Sequence, residues 1–403
     1  MDASRPWRLE GVVKPYAWGS RTAIPELLGR APGAEPQAEL WLGAHPQGAA
    51  RVLGPDGRAT ALDDWIRRDP EGVLGRETAR RFEGELPFLL KVLAAEAPLS
   101  LQAHPSRDQA RVGFARENEA GIPLDAPERC YRDPHPKPEL ICALTDFHAL
   151  NRFRDPAEMA ARLGELDAPA LEPFAAALRK SGGREALMKL FAALWRLDAD
   201  ARAEVLARAT GQAELRGAGD AAWRWVGELA ARHPGDIGAL APLLLNVVTL
   251  APGQAMFLPA GELHSYLGGV GIEIMASSDN VLRGGLTPKH VDTGELLRTL
   301  SFRSGEVEVL APRPEGAAEA FYDTPAEEFA LSCIGLDSGG RHEVAARRGV
   351  EILLCTAGSG RLECGGETCA LARGEALLVP AAAPAWRVEG ELTLYRAGVG
   401  RAR

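Results

Sequence analysis

The chain runs to 403 residues, with 46 Lys+Arg against 55 Asp+Glu for a formal charge of −9. That length is too great for one ordinary core and points to about two or three compact units, and a balance of 46% hydrophobic to 25% charged residues excludes a disordered chain. The acidic excess offers no basic face for nucleic acid, so no partner of that class is expected.

The amino terminus, Met1-Asp-Ala-Ser-Arg-Pro-Trp7, has no apolar leader core. The longest apolar stretch, Ala239–Leu250, is too short to span a bilayer and carries Asn246. A cytoplasmic chain with no membrane partner is expected. From Trp7 to about Leu150, short apolar runs such as Ala38-Glu-Leu-Trp-Leu-Gly43 and Leu86-Pro-Phe-Leu-Leu-Lys-Val-Leu93 alternate with Gly and Pro, which predicts mainly strand and loop. Between about Asp155 and Ala241 the pattern turns helical. Asp155 suits an N-cap, Pro156 the first helical position and Glu158 the first turn. Met159, Leu163 and Leu166, then Leu187, Leu190, Phe191 and Leu194, mark core-facing stripes.

After Leu243 the strand pattern returns and contains a repeat. Leu250-Ala-Pro-Gly-Gln-Ala-Met-Phe-Leu-Pro-Ala260 matches Leu371-Ala-Arg-Gly-Glu-Ala-Leu-Leu-Val-Pro-Ala381. A glycine turn, a four-residue strand and a proline-ended corner are what a small jelly roll uses at an edge. The predicted fold is therefore mainly β with an α-helical insertion: two cupin-type jelly-roll barrels plus a helical subdomain. The expected division is 1–153 as an N-terminal β portion of the first barrel, 154–243 as the helical subdomain, 244–325 as the rest of the first barrel, and 326–403 as a second barrel. Five residues after the proline, the first copy has His264 and the second has Ala385, so the second barrel is expected to lack a metal ligand.

The six cysteines, Cys130, Cys142, Cys333, Cys355, Cys364 and Cys369, form no CxxC pair and read as reduced structural thiols. Only Lys14, Lys91, Lys137, Lys180, Lys189 and Lys289 are lysine, so a lysine retained outside a helical surface pattern points to chemistry that wants a compact amine.

Three segments carry that chemistry. Ser100, Gln102 and His104 alternate along a strand-like stretch and share a face. His135-Pro-Lys-Pro-Glu139 is held extended by its prolines, which aims Lys137 and Glu139 the same way. His264 opens the first barrel's corner, followed by Tyr266 and Glu273. Gln102, His104, Glu139 and His264 would form a mixed nitrogen and oxygen site suited to zinc or another borderline divalent ion, with a position open to substrate.

Tyr131-Arg-Asp-Pro-His-Pro-Lys-Pro-Glu139 and the continuous run from His264 to Lys289 resemble the two signature segments of the type I phosphomannose isomerases. So do Lys14-Pro-Tyr-Ala-Trp-Gly19, Ala38–Gly43, Leu89–Leu93 and Leu99-Ser-Leu-Gln-Ala-His-Pro105, in order. The sequence departs from the family at His135-Pro136, where Asn-His is usual, and at Ser265 and Gly284, where alanine is usual. The resemblance implies a zinc-dependent interconversion of mannose 6-phosphate and fructose 6-phosphate, with one Zn²⁺ per chain on Gln102, His104, Glu139 and His264. A monomer acting on a small sugar phosphate is expected.

Such an isomerase moves a proton between C2 and C1 through a cis-enediol, which needs a base and a stabiliser of the developing oxyanion. Lys137 and Glu273 are the candidate bases; Lys137 could instead be an electrostatic stabiliser, and Glu273 a structural partner of Arg283. Arg283, Lys289, Lys91 and Ser100 are candidate phosphate and oxyanion donors, with Lys289 alternatively capping a helix that starts near Thr287. Tyr266, Trp18 and Glu39 complete the expected pocket. The competing readings are a bicupin sugar-binding regulator, a metal oxygenase, and an isomerase of another aldose. Gln102 as an additional ligand argues against the oxygenase, which commonly uses two histidines and one carboxylate.

Overall fold

In the computed structural model, which describes residues 1–54, 57–345 and 349–401, the β-rich segments form two ten-stranded sheets. The first runs Leu245–Leu250, Phe147–Phe153, His264–Ala276, Phe88–Ala95, Glu39–Gly43, Val12–Lys14, with Leu101–Ala103, Leu282–Gly285, Glu139–Ala143 and Ala255–Leu258 branching from it. All its pairings are antiparallel. Strand His264–Ala276 is its hub. Its first residues pair with Phe147–Phe153, from Gly269 it pairs with Phe88–Ala95, and from Gly271 with Glu139–Ala143 on its other side. The change of partner falls at Gly269, where φ is +118° and a Cβ would lie 2.5 Å from the Asp146 carbonyl oxygen, so only glycine allows the bend.

The second sheet runs Arg313–Glu315, Glu319–Tyr322, Ala330–Val344, Trp386–Gly398, Glu351–Cys364, Ala376–Val379, Trp7–Glu10, Arg51–Leu53, Ala59–Ala61, with Glu367–Ala372 paired to Glu351–Cys364 off this path. Trp7–Glu10 lies between a strand from the end of the chain and one from its start. The first 153 residues thus serve both sheets, a long-range pairing that a reading in chain order does not reveal.

Side-chain alternation explains how the sheets meet. Leu90, Val92, Leu140, Cys142, Ile272 and Ile274 form one face of the first sheet and pack with Leu9, Val52, Ile352, Leu354, Leu378 and Tyr395 of the second. The opposite face of the first sheet carries Lys91, Glu139 and Glu273, so the site lies on the face turned away from this shared core. The repeat is visible in the backbone. Gly253 and Gly374 have φ of +84° and +86°, and each precedes a four-residue strand, Ala255–Leu258 and Ala376–Val379.

Helices Pro156–Glu165, Glu172–Ser181, Arg184–Leu194, Ala199–Arg216 and Ala221–Arg232 occupy the expected helical segment. Asp155 caps the first through the Ala157 and Glu158 amides. Leu163, Leu187, Leu190, Phe191 and Leu194 are buried in one core with Leu101, Leu282 and Leu286, which ties this segment to the strands that carry the site. The first part of the chain is mainly strand and loop, as expected, with the helix Arg107–Glu119 added, whose capping box joins Ser106 and Gln109. One expectation is corrected. No helix starts near Thr287; the next one is Thr293–Thr299, capped by Asp292, and Lys289 lies in the loop before it.

Candidate active site

The first sheet's free face lines a cavity of about 750 Å³. Of the residues singled out from sequence, Trp18, Glu39, Lys91, Ser100, Gln102, Lys137, Glu139, Tyr266, Glu273, Arg283 and Lys289 line it. His104 and His264 stand against Glu139, with His104 Nε2 3.3 Å from Oε1 and His264 Nε2 3.4 Å from Oε2. One ligand atom from each of the three residues lies within 4.8 Å of the others.

Three atoms of this group, His104 Nε2, Glu139 Oε2 and His264 Nε2, are buried without a hydrogen-bond partner. Unsatisfied buried polar atoms cost about 1–3 kcal/mol each, so their convergence is unfavourable unless a shared cation takes their lone pairs. The far sides of both imidazoles are fixed. His104 Nδ1 is 2.7 Å from the Asn280 carbonyl oxygen and His264 Nδ1 is 3.0 Å from that of Glu262, contacts that aim the Nε2 lone pairs at Glu139. Burial lowers the His104 pKa to about 4 and keeps the ring neutral, as a ligand must be. Burial opposes the Glu139 charge, but the Lys137 ammonium, 3.2 Å away, outweighs it and holds the carboxylate well below its usual range. Gln102 faces His264 directly across one strand pairing and Arg283 across the other, so the three form a row on one face.

Asn280, wholly buried, builds the local frame. Its side-chain oxygen accepts from the Arg132 and Asp133 amides and its side-chain nitrogen donates to the Asp133 and His135 carbonyl oxygens. The segment carrying Lys137 and Glu139 is thereby pinned to the one carrying Arg283. His135 is exposed and lines a separate cavity with Arg81, Arg107 and Arg111, so the residue that departs from the family pattern faces away from the site.

A second cluster is cationic. Burial lowers the Arg283 pKa, and Arg132 adds to the effect; burial also lowers that of Lys289, with Arg283 and Arg132 adding to it. None of the three cations has a carboxylate ion-pair partner among the described residues, and all line the cavity. Arg132 was not singled out from sequence, although it lies inside a quoted signature. Glu273 is not paired with Arg283. It accepts from Lys91 Nζ at 2.8 Å and from the Tyr266 hydroxyl at 3.0 Å, because Lys91 faces it in register on the next strand. Burial raises the Glu273 pKa, and Glu139 and Glu39 reinforce the rise against the pull of Lys91. Burial disfavours the Lys91 charge, but Glu273 and then Glu39 hold its pKa above the usual lysine range. Trp18 stacks on Tyr16 at the cavity edge, ring centroids 5.8 Å apart.

Sequence comparison matches residues 7–156 to "Phosphomannose isomerase type I, catalytic domain" and residues 319–398 to "Mannose-6-phosphate isomerase, cupin domain". The mannose-6-phosphate isomerase of Escherichia coli K12 is 40% identical over 391 residues, covering 96% of this chain and 98% of the relative. The structure of a glutamate-to-alanine variant of the phosphomannose isomerase from Salmonella typhimurium superposes with a TM-score of 0.92 at 38% identity, covering 98% of this chain and all of that one. A zinc-bound mannose 6-phosphate isomerase superposes with a TM-score of 0.90 at 38% identity, with the same coverage of both chains. With nearly the whole chain matched at this identity, and the signature segments converging on one cavity, the chain belongs to the type I phosphomannose isomerases.

Proposed function

We propose that the protein interconverts mannose 6-phosphate and fructose 6-phosphate through a cis-enediol, using one Zn²⁺ held by Gln102, His104, Glu139 and His264. The observation that carries this reading is that three unpaired ligand atoms converge at Glu139, on the wall of the same cavity that three unpaired cations border. When bound, zinc would polarise the C1 and C2 oxygens of the sugar as a Lewis acid.

The chain's own groups do the rest. Arg132, Arg283 and Lys289 receive the phosphate dianion, whose charge-assisted hydrogen bonds satisfy cations that otherwise repel one another. Ser100 adds a hydroxyl donor at the same wall. Glu273 moves the proton between C2 and C1, since its raised pKa brings a carboxylate toward the working range of a base. Lys91 and Tyr266 orient it through its two oxygens. Lys137 stabilises the negative charge that develops on the enediol oxygens. Trp18 and Glu39, both on the cavity wall, bound the sugar.

The two-barrel description, the division at residues 153, 243 and 325, a monomeric state and a cytoplasmic location complete the proposal. The second barrel acts as a scaffold behind the first sheet: Ala385 directly precedes its strand Trp386–Gly398, whereas His264 begins the equally long strand His264–Ala276. The deciding experiment assays isomerisation of mannose 6-phosphate, glucose 6-phosphate and free mannose, with and without added Zn²⁺. Zinc-dependent turnover restricted to mannose 6-phosphate is expected; turnover of none of the three would overturn the reading.

A further inference from the structure

The loop from Arg283 to Lys289 carries two of the three unpaired cations, and its backbone is held in a conformation it would not adopt alone. Gly285 has φ +134° and Leu286, with a full side chain, has φ +56°, in the left-handed region that L-residues avoid. The contacts that hold it come from the helical segment and its exit. Asp236 Oδ2 accepts from the Leu286 amide at 2.6 Å and from the Thr287 amide at 3.4 Å. Its Oδ1 accepts from the Gly238 amide at 2.8 Å, which fixes the carboxylate in the turn after helix Ala221–Arg232. Trp195, at the end of helix Arg184–Leu194, donates from Nε1 to the Gly284 carbonyl oxygen at 2.6 Å. The fit is close: a Cβ on Gly285 would lie 2.8 Å from Asp236 Oδ1, and one on Gly238 would lie 3.2 Å from the Leu286 nitrogen.

We propose that Asp236 is a positioning residue for phosphate recognition: its carboxylate locks the Leu286–Thr287 turn, and so sets where Arg283 and Lys289 stand. The inference rests on the reading of those two residues as phosphate ligands. Asp236 spends its charge on backbone N–H groups and forms no ion pair with either cation among the described residues, so it shapes the anion site without neutralising it. The helical segment thereby acquires a role in substrate affinity through one carboxylate and one indole.

The test uses the zinc-loaded full chain. Asp236→Ala should raise both the KM for mannose 6-phosphate and the Ki of inorganic phosphate by about tenfold, the scale of lost charge-assisted hydrogen bonds. It should leave zinc content unchanged and lower kcat less than it raises KM. Trp195→Phe should move the phosphate Ki the same way by about two- to threefold. Loss of stability alone would reduce the active fraction, hence apparent kcat, without altering Ki. Lys289→Ala, run alongside, separates the two ideas. If it weakens phosphate and Asp236→Ala does not, the positioning role fails; if it does not weaken phosphate, the phosphate reading itself fails. Should Asp236→Ala not fold, an unchanged phosphate Ki in Trp195→Phe overturns the inference.

Discussion

Lys91 and Glu273 face each other in register on adjacent strands and close to 2.8 Å, with Glu39 3.8 Å from the same ammonium on its other side. A lysine gripped by two buried carboxylates is not free to receive a phosphate. Its consequence is electrostatic: it lets three carboxylates, Glu39, Glu139 and Glu273, share one cavity wall. Lys91→Met should therefore lower stability by about 3–5 kcal/mol, the cost of stranding a buried charge, and reduce kcat because Glu273 loses its orienting partner. A denaturant titration and steady-state kinetics check this; an unaltered midpoint and kcat would refute it.

The roles of Glu273 and Lys137 separate by pH. A base must be ionised, so kcat/KM should fall as pH drops through the raised Glu273 pKa. Glu273→Gln should lose most of kcat while keeping zinc. Lys137→Met should also retain zinc and lower kcat far more than it raises KM, but keep the acid limb, because its ammonium acts on the charge of the transition state. If Lys137→Met abolishes the acid limb and Glu273→Gln does not, the two roles are exchanged.

Metal and activity should be lost together. His264→Ala removes one of three converging ligand atoms and should leave the chain without zinc by elemental analysis and without turnover. His342→Ala, in the second sheet 3.2 Å from Glu319, should keep both. A fully active protein free of metal would sink the site and the mechanism alike.

Arg132 was the cation that sequence reading passed over. Arg132→Ala should raise KM for mannose 6-phosphate about tenfold, with a smaller change in kcat, since it removes a charge-assisted contact to the phosphate. The loss should shrink at high salt, where screening already weakens the site. Equal KM values for variant and parent would assign the phosphate to Arg283 and Lys289 alone.

What the sequence disclosed and what it hid follow one physical division. Local spacing was enough to single out His104 and Glu139, two of the three residues whose ligand atoms converge, because strand alternation and the proline-stiffened His135–Glu139 run dictate direction within a few residues. The Gly253 and Gly374 turns, with equivalent left-handed angles, were legible for the same reason. The Lys91–Glu273 pair spans 182 residues and depends on strand register, which neither segment specifies alone. The Asp236 clamp spans 50 residues and holds backbone rather than side chain, so no motif announces it. Trp7–Glu10 joining the second sheet is likewise a pairing across the whole chain.

The last prediction concerns the second sheet's own buried charges. Arg396 donates to Glu319 at 2.7 Å and to Glu351 at 2.9 Å, and Ser332 and His342 also reach Glu319. Burial works against the Glu319 charge, but Arg396 above all, then Ser332 and His342, hold its pKa below the usual 4.5. A carboxylate depressed in the folded state stabilises the fold fully above its unfolded pKa, and that contribution disappears as pH falls through the folded value. Thermal stability should therefore be flat from pH 7 to about 5 and decline below about 4.5 on account of this group. Arg396→Met should flatten that decline while lowering stability near neutrality by about 3 kcal/mol, because two carboxylates lose their counter-charge. The folded variant should retain zinc and wild-type KM, since the network lies across the shared core from the cavity. A variant with normal stability at pH 7, or one that folds but has lost its zinc, would contradict the role of this sheet as a scaffold.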